Sequence, residues 1–187
     1  MPEIVVINGP PGVGKTTVAT ALSALQPGTV KICGDELRAF APPDARKRLG
    51  GGSTYRAGAL LADAYLGMGA SRVLFDYVFL RPSHIAYFWN ALGENVSAHL
   101  FTLWAPLEVV EARERMRGGR APLGVAVADC YREIEANRQV LGHFLQTGDA
   151  SPEVVAGEIH RLVARGIAGV KRENVVMVGL SGNVPGR

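Results

Sequence analysis

Residues 4–22 read IVVINGPPGVGKTTVATAL, and this stretch decides the fold. Ile4 to Ile7 is a continuous β-branched run, the pattern of a strand buried on both faces of a parallel sheet. Gly9-x-x-x-x-Gly14-Lys15-Thr16 follows at once, and Lys15 onward reads as a helix that stops near Pro27-Gly28. A strand, a glycine turn of this spacing and a helix make a loop that wraps nucleotide phosphates. The expected phosphate-binding set is Gly9, Pro10, Pro11, Gly12, Val13, Gly14, Lys15, Thr16 and Thr17. Backbone N–H groups and the helix N-terminus face anionic oxygens. Lys15 would neutralise the β/γ-phosphates of ATP and the Thr16 hydroxyl would ligate Mg²⁺.

Outward from that loop, strands and helices alternate. TVKIC (29–33) reads as a second strand, with GDELRAF turning into a short helix, and APPDARKRLGGG (41–52) as a loop. TYRAGALLADAYLGMG has helical spacing, RVLFDYVF (72–79) reads as a third strand, and PSHIAYFWNALG as a helix with Pro82 in its first turn. SAHLFTLWA is a fourth strand and PLEVVEARERMR a fourth long helix. A further helix is expected over DCYREIEANRQVLGHFL, LQTGD as a short fifth strand, and a last helix begins after Ser151. Alternation of this kind predicts an α/β fold with a parallel sheet covered on both faces. The 187 residues suit one core, so residues 1–166 are expected as one domain, with 167–187 as a tail or an added edge strand.

Composition narrows the function. The formal charge of +3 comes from basic residues spread along the chain, mostly arginine, which argues against nucleic acid as partner. Cys33 and Cys130 are too few and too far apart for a disulfide framework or a metal site, and a reducing cytoplasm is the expected setting. No apolar run approaches membrane-spanning length. A homo-oligomer is compatible with all of this. A motor or AAA-type ATPase wants a longer chain and an acidic pair on its magnesium-side strand, where LFDYV offers Asp76 alone. A small GTPase wants NKxD, which does not occur.

A kinase of small molecules needs a proton acceptor, a metal-side acid, a mobile arginine lid and an acceptor pocket, and the sequence offers each. Asp35 in CGDELR lies just past the second strand, where the carboxyl ends of parallel strands open on a common crevice. There it could take the proton of a substrate hydroxyl, or cap its helix. Asp76 ends the third strand and could hold Mg²⁺. Arg113 and Arg117 share a helix face, and Arg120 follows in a Gly-flanked segment, so a lid is expected over about 113–126. With Lys15 and Asp35, Arg117 and Arg120 complete the expected catalytic set. Arg38, Arg56, Tyr77 and Phe79 are the candidates for the acceptor pocket, and His84 reads as structural.

These segments together resemble the chloramphenicol phosphotransferase-like group of small P-loop kinases, of the shikimate, gluconate and adenylylsulfate kinase type. The resemblance spans about residues 3–164 and rests on the phosphate loop, GDELR, RVLFDYVFLRP, the pattern RExxRGxR from Arg113 to Arg120, and TGDASPEVVAGEI. It implies an α/β P-loop NTPase fold with a five-stranded parallel sheet and a small arginine-bearing lid. It implies ATP and Mg²⁺ as cofactors, Asp35 as base, and Thr147, Gly148 and Asp149 as the rim of the nucleotide pocket, with Arg113 beside it. Tyr77 stands where the group has a second acid, and Gly119 where the lid has one. Residues 40–69, the substrate-facing part, show little match, so the resemblance names no acceptor. The expectation is phosphorylation of a hydroxyl on a small molecule, an antibiotic or secondary metabolite among the candidates. The alternatives are an adenylylsulfate- or nucleotide-type kinase, and a regulatory ATPase that acts on a macromolecular partner.

Overall fold

The six residues of β1 (Glu3–Asn8) alternate between two cores, because successive side chains of a strand point to opposite faces. Ile4 and Val6 pack with α4 (Ser53–Gly67) and α5 (Pro82–Trp89) on one face. Val5 and Ile7 pack with α1 (Lys15–Ser23) and α8 (Pro152–Ala164) on the other. A strand covered twice has to be apolar throughout, which is why β1 reads as an unbroken run. The computed structural model describes residues 3–93, 96–118, 121 and 123–169.

β1 is the centre of a five-stranded, all-parallel sheet with β2 (Thr29–Cys33), β3 (Arg72–Asp76), β4 (Ser97–Trp104) and β5 (His143–Gln146), in the order β2-β3-β1-β4-β5. Connections therefore leave β1 toward opposite sides, and the carboxyl ends of the strands open a crevice at that point. The remaining helices are α2 (Gly34–Ala39), α3 (Pro43–Leu49), α6 (Leu107–Arg115) and α7 (Val125–Ala136).

A buried polar seam ties the crevice ends of three strands together. Asn8 Oδ1 accepts the Phe79 N–H at 2.7 Å, Asn8 Nδ2 donates to Thr102 Oγ1 at 3.0 Å, and the Thr102 hydroxyl donates to the Leu141 carbonyl at 2.6 Å. At the opposite end of the sheet, buried Arg72 donates from Nε to Glu3 Oε1 at 2.8 Å.

Three elements differ from the sequence reading. The expected loop 41–52 contains α3, which starts with Pro43 at its first turn, a position where the missing N–H costs nothing. The third strand stops at Asp76, the end already assigned to its metal-side acid, three residues short of Phe79, which gives its N–H to the Asn8 side chain and not to a neighbouring strand. The long helix expected through residue 145 ends at Ala136, and β5 begins at His143 after Gly142 turns the chain with φ +75°. After α8, the Leu100 N–H donates to the Ala168 carbonyl at 3.1 Å and Gly169 bridges His99 in antiparallel sense. This covers the part of β4 that β5, paired only with Phe101–Trp104, does not reach. The stretch NVVMVGL, within the 167–187 segment expected as a tail or an added edge strand, lies outside the described residues.

Candidate active site

A crevice of about 610 Å³ lies at the carboxyl ends of the strands and is walled by Gly12–Val18, Asp35, Arg113, Arg117, Thr147, Ala150, Pro152 and Val155. The chain enters it from β1. Gly12 holds φ +87°, and a Cβ there would meet the Val110 carbonyl and stand 3.0 Å from Glu114 Cβ, so only glycine fits. Gly14, at φ +101°, caps α1 with no side-chain hydrogen bond, and the first turn of α1 holds no acid. Its free N–H groups and positive dipole end are left to an anion.

Lys15 Nζ donates to the Gly9 and Pro10 carbonyls at 2.9 and 3.1 Å, which folds the side chain over its own loop. Burial lowers its pKa, Arg117 adds to that, and Asp35 and Asp76 oppose it. Both acids thus lie close enough to act on the loop lysine. Gly9 and Pro10 take part through those carbonyls, Pro11 is half-buried within the turn, and Val13 and Thr17 line the crevice.

Asp76 is 3% exposed, and its Oδ1 has no hydrogen-bond partner. Burial raises its pKa, offset by the Thr16 hydroxyl, Lys15, the Cys33 thiol and Lys31. A buried, unpaired carboxylate oxygen beside a threonine hydroxyl suits a hard divalent cation. Among the described residues no group of three or more His, Cys, Asp or Glu side chains could hold a metal alone. Thr16 and Asp76 alone would give such a cation only part of its ligands, and phosphate oxygens and water would have to supply the rest.

Asp35 is exposed in the first turn of α2 and forms part of the crevice wall. Arg113 donates from Nη2 to the Gly148 carbonyl at 2.7 Å, so α6 is tied to the loop after β5. Arg117 is exposed one turn beyond it and faces the same crevice. Arg120 lies outside the described residues. Thr147 is buried, its N–H 2.7 Å and its hydroxyl 3.2 Å from the Trp104 carbonyl, which pins the rim to β4. Gly148 contributes the carbonyl that holds Arg113, and Asp149 is exposed and off the crevice wall, where Ala150, Pro152 and Val155 stand instead.

The acceptor-side candidates separate into surface and core. Arg38 is exposed on α2, and Arg56 is exposed on α4 with its guanidinium 4.6 Å above the Tyr87 ring. Tyr77 keeps 8% of its surface, and Phe79 none. Phe79 is thus a correction: its ring packs edge-on against Tyr55, Phe75, Phe88 and Trp89 and belongs to the core. His84 is structural, as its sequence position suggested. Its Nδ1 accepts the Leu80 N–H at 3.1 Å and lies 2.9 Å from the Tyr55 hydroxyl, while burial and Arg81 hold its pKa near about 4. Arg81 forms an ion pair with Glu133, which joins the exit of β3 to α7.

Sequence reasoning missed Asn8, whose signal was a polar residue closing an apolar strand directly before the glycine loop. It also missed the apolar pocket wall of Ala150, Pro152 and Val155, which no motif spacing marks.

Comparison with known proteins agrees with this architecture. The tunicamycin resistance protein of Deinococcus radiodurans superimposes with a TM-score of 0.62 at 21% identity, covering 91% of this chain and 99% of that one. A sugar kinase from Janibacter sp. HTCC2649 gives 0.58 at 20% identity, covering 90% and 96%. The shikimate kinase of Acinetobacter baumannii in complex with shikimate gives 0.58 at 20% identity, covering 89% and 94%. At these identities the likeness is one of fold. The comparison with curated proteins finds no match. The matching family model carries the AAA description, a heading that chain length and the single strand-end acid had argued against, and it covers residues 4–143. That match spans most of the chain, and with its phosphate loop and five-stranded parallel sheet the chain belongs to this AAA domain family.

Proposed function

We propose that the protein is an ATP- and Mg²⁺-dependent phosphotransferase that phosphorylates a hydroxyl group of a small molecule. One observation carries the reading: the carboxylate of Asp35 and the guanidinium of Arg117 share one crevice with the phosphate loop. A binding switch needs the loop, whereas a phosphoryl transferase also needs a proton acceptor and mobile positive charge at the same place. The loop N–H groups and Lys15 hold the phosphates, and Lys15 exchanges its two carbonyl partners for phosphate oxygens as they arrive. Thr16 and Asp76 bind the cation, which when present neutralises charge on the phosphates. Asp35 accepts the hydroxyl proton of the acceptor, and Arg117, with Arg120 beyond it, screens the charge on the transferring group. Arg113 holds the nucleotide rim through Gly148, so its role is placement of the nucleotide. An antibiotic or secondary metabolite as acceptor agrees with the aromatic surroundings of Tyr77.

The test is a screen of hydroxylated metabolites and antibiotics with MgATP, read by mass spectrometry for the gain of one phosphoryl group. With the acceptor found, Asp35→Ala should lose transfer by about 100-fold or more while keeping ATP affinity. Full transfer by that variant removes Asp35 from the mechanism. A response to a macromolecule, and to no small acceptor, would favour a regulatory ATPase.

A further inference from the structure

Gly34, the residue in front of Asp35, is glycine for want of space. Its φ lies outside the left-handed region, so its backbone would accept any side chain. A Cβ on Gly34 would stand 2.6 Å from Tyr77 Cβ and closer still to Cγ and Cδ2 of that ring. Carbon atoms in contact lie about 3.5–4.0 Å apart, so the ring and the first turn of α2 fit each other with no allowance.

Tyr77 cannot easily yield. Its N–H donates to the Ile7 carbonyl at 3.2 Å, which fastens it to the strand that feeds the phosphate loop. Tyr55 packs against the ring with centroids 5.2 Å apart, and Phe75 at 6.0 Å, both of them buried. Its phenol faces the Thr54 hydroxyl, with Asp35, Arg38 and Arg46 around it.

We propose that Tyr77 is the positioning residue for Asp35: its ring is the seat on which the first turn of α2 rests, and through Ile7 it carries the placement of the phosphate loop across the crevice to the Asp35 carboxylate. This deepens the kinase reading and rests on it for the value of placing Asp35. A tyrosine in the place where the resembling kinases have a second acid thus acts as a spacer between the donor and acceptor halves. The phenol oxygen serves the seat little, since the contact with Gly34 is made by Cβ, Cγ and Cδ2.

The experiment compares the wild type with Gly34→Ala, Tyr77→Gly, Tyr77→Phe and the double variant Gly34→Ala/Tyr77→Gly. The chemical shift of the Asp35 carboxyl carbon is followed by carbon-13 NMR on aspartate-labelled protein, and MgATP affinity is measured in parallel. Gly34→Ala should move the Asp35 signal and lower transfer by about 100-fold, the scale of a 1 Å misplacement, with MgATP affinity unchanged. The double variant, which removes the Tyr77 Cβ as well as the ring and so has room for the new methyl group, should return the signal toward the wild type, a coupling that two independent losses would not give. Tyr77→Phe keeps the ring atoms that meet Gly34 and should leave the Asp35 carboxyl signal at its wild-type position. An unmoved Asp35 in Gly34→Ala, or a double variant displaced further than either single one, overturns the proposal. Should Gly34→Ala fail to fold, Tyr77→Gly alone must move the Asp35 carboxyl signal, and an unmoved signal again overturns the proposal. Full transfer by Asp35→Ala alongside an intact Gly34–Tyr77 coupling would leave the seat standing and remove the kinase role of Asp35.

Discussion

Replacing Asn8 by alanine should destabilise the whole sheet, although Asn8 touches no expected ligand. The side chain is fully buried and makes two hydrogen bonds, accepting from Phe79 N at 2.7 Å and donating to Thr102 Oγ1 at 3.0 Å. Alanine leaves the Phe79 N–H buried without a partner, at a cost of about 1–3 kcal/mol. Thr102 keeps its own donation to Leu141 and loses only an incoming bond, worth about 0.5–1.5 kcal/mol. The sum is about 3 kcal/mol, and for a domain of this size each kcal/mol moves the melting temperature by roughly 2–4 °C. Thermal unfolding followed by circular dichroism should therefore show a drop of about 6–12 °C. Amide hydrogen exchange at Phe79 should accelerate with it. A drop below about 2 °C, or unchanged protection at Phe79, would refute the reasoning, because the seam would then have an alternative partner.

Two further predictions concern pH and charge. His84 is held neutral, its pKa lowered to about 4 from 6.5, so its contribution is whole above pH 6.5 and is lost as pH falls toward 4. Urea midpoints should fall over that window and fall less in His84→Gln; equal slopes in both proteins would contradict the assignment. Asp76 has its pKa raised by burial, so the fold favours the protonated acid, and that preference is lost as pH rises through the folded value. Asp76→Asn should melt higher than the wild type at neutral pH while its nucleotide binding loses Mg²⁺ dependence, and a lower melting temperature at pH 7 would count against the reading.

How far the sequence could be read depended on how local each signal was. The phosphate loop is local, its glycines each answering a backbone demand within eight residues, and the sheet class followed from the β-branched runs. The paired prolines of 41–52 read equally as turn and as helix start, so α3 was taken for loop. In 129–145 the helical period of REIEANRQVL ran on into HFLQ, whereas the helix stops at Ala136, a 3-10 turn covers Arg138–Val140 and Gly142 turns left-handed before β5. Asp35 and Asp76 could be placed because parallel strands bring their ends together. Phe79 was misread because burial behind the crevice and exposure within it follow from the same strand exit, and the side chain of Asn8 decides between them. The contact between Gly34 and Tyr77 was invisible, since it exists only where the first turn of α2 meets the exit of β3.

The short crossing at 167–169 has a consequence for solubility. β5 leaves the first half of β4 without a neighbour on that side, and such a row of free peptide groups is a template onto which another chain can add. The Ala168 carbonyl and the Gly169 bridge occupy it from within the molecule. A protein cut after α8 would keep every element of the crevice and yet expose an open sheet edge. It should self-associate as concentration rises, so the useful boundary of this domain lies past the last helix.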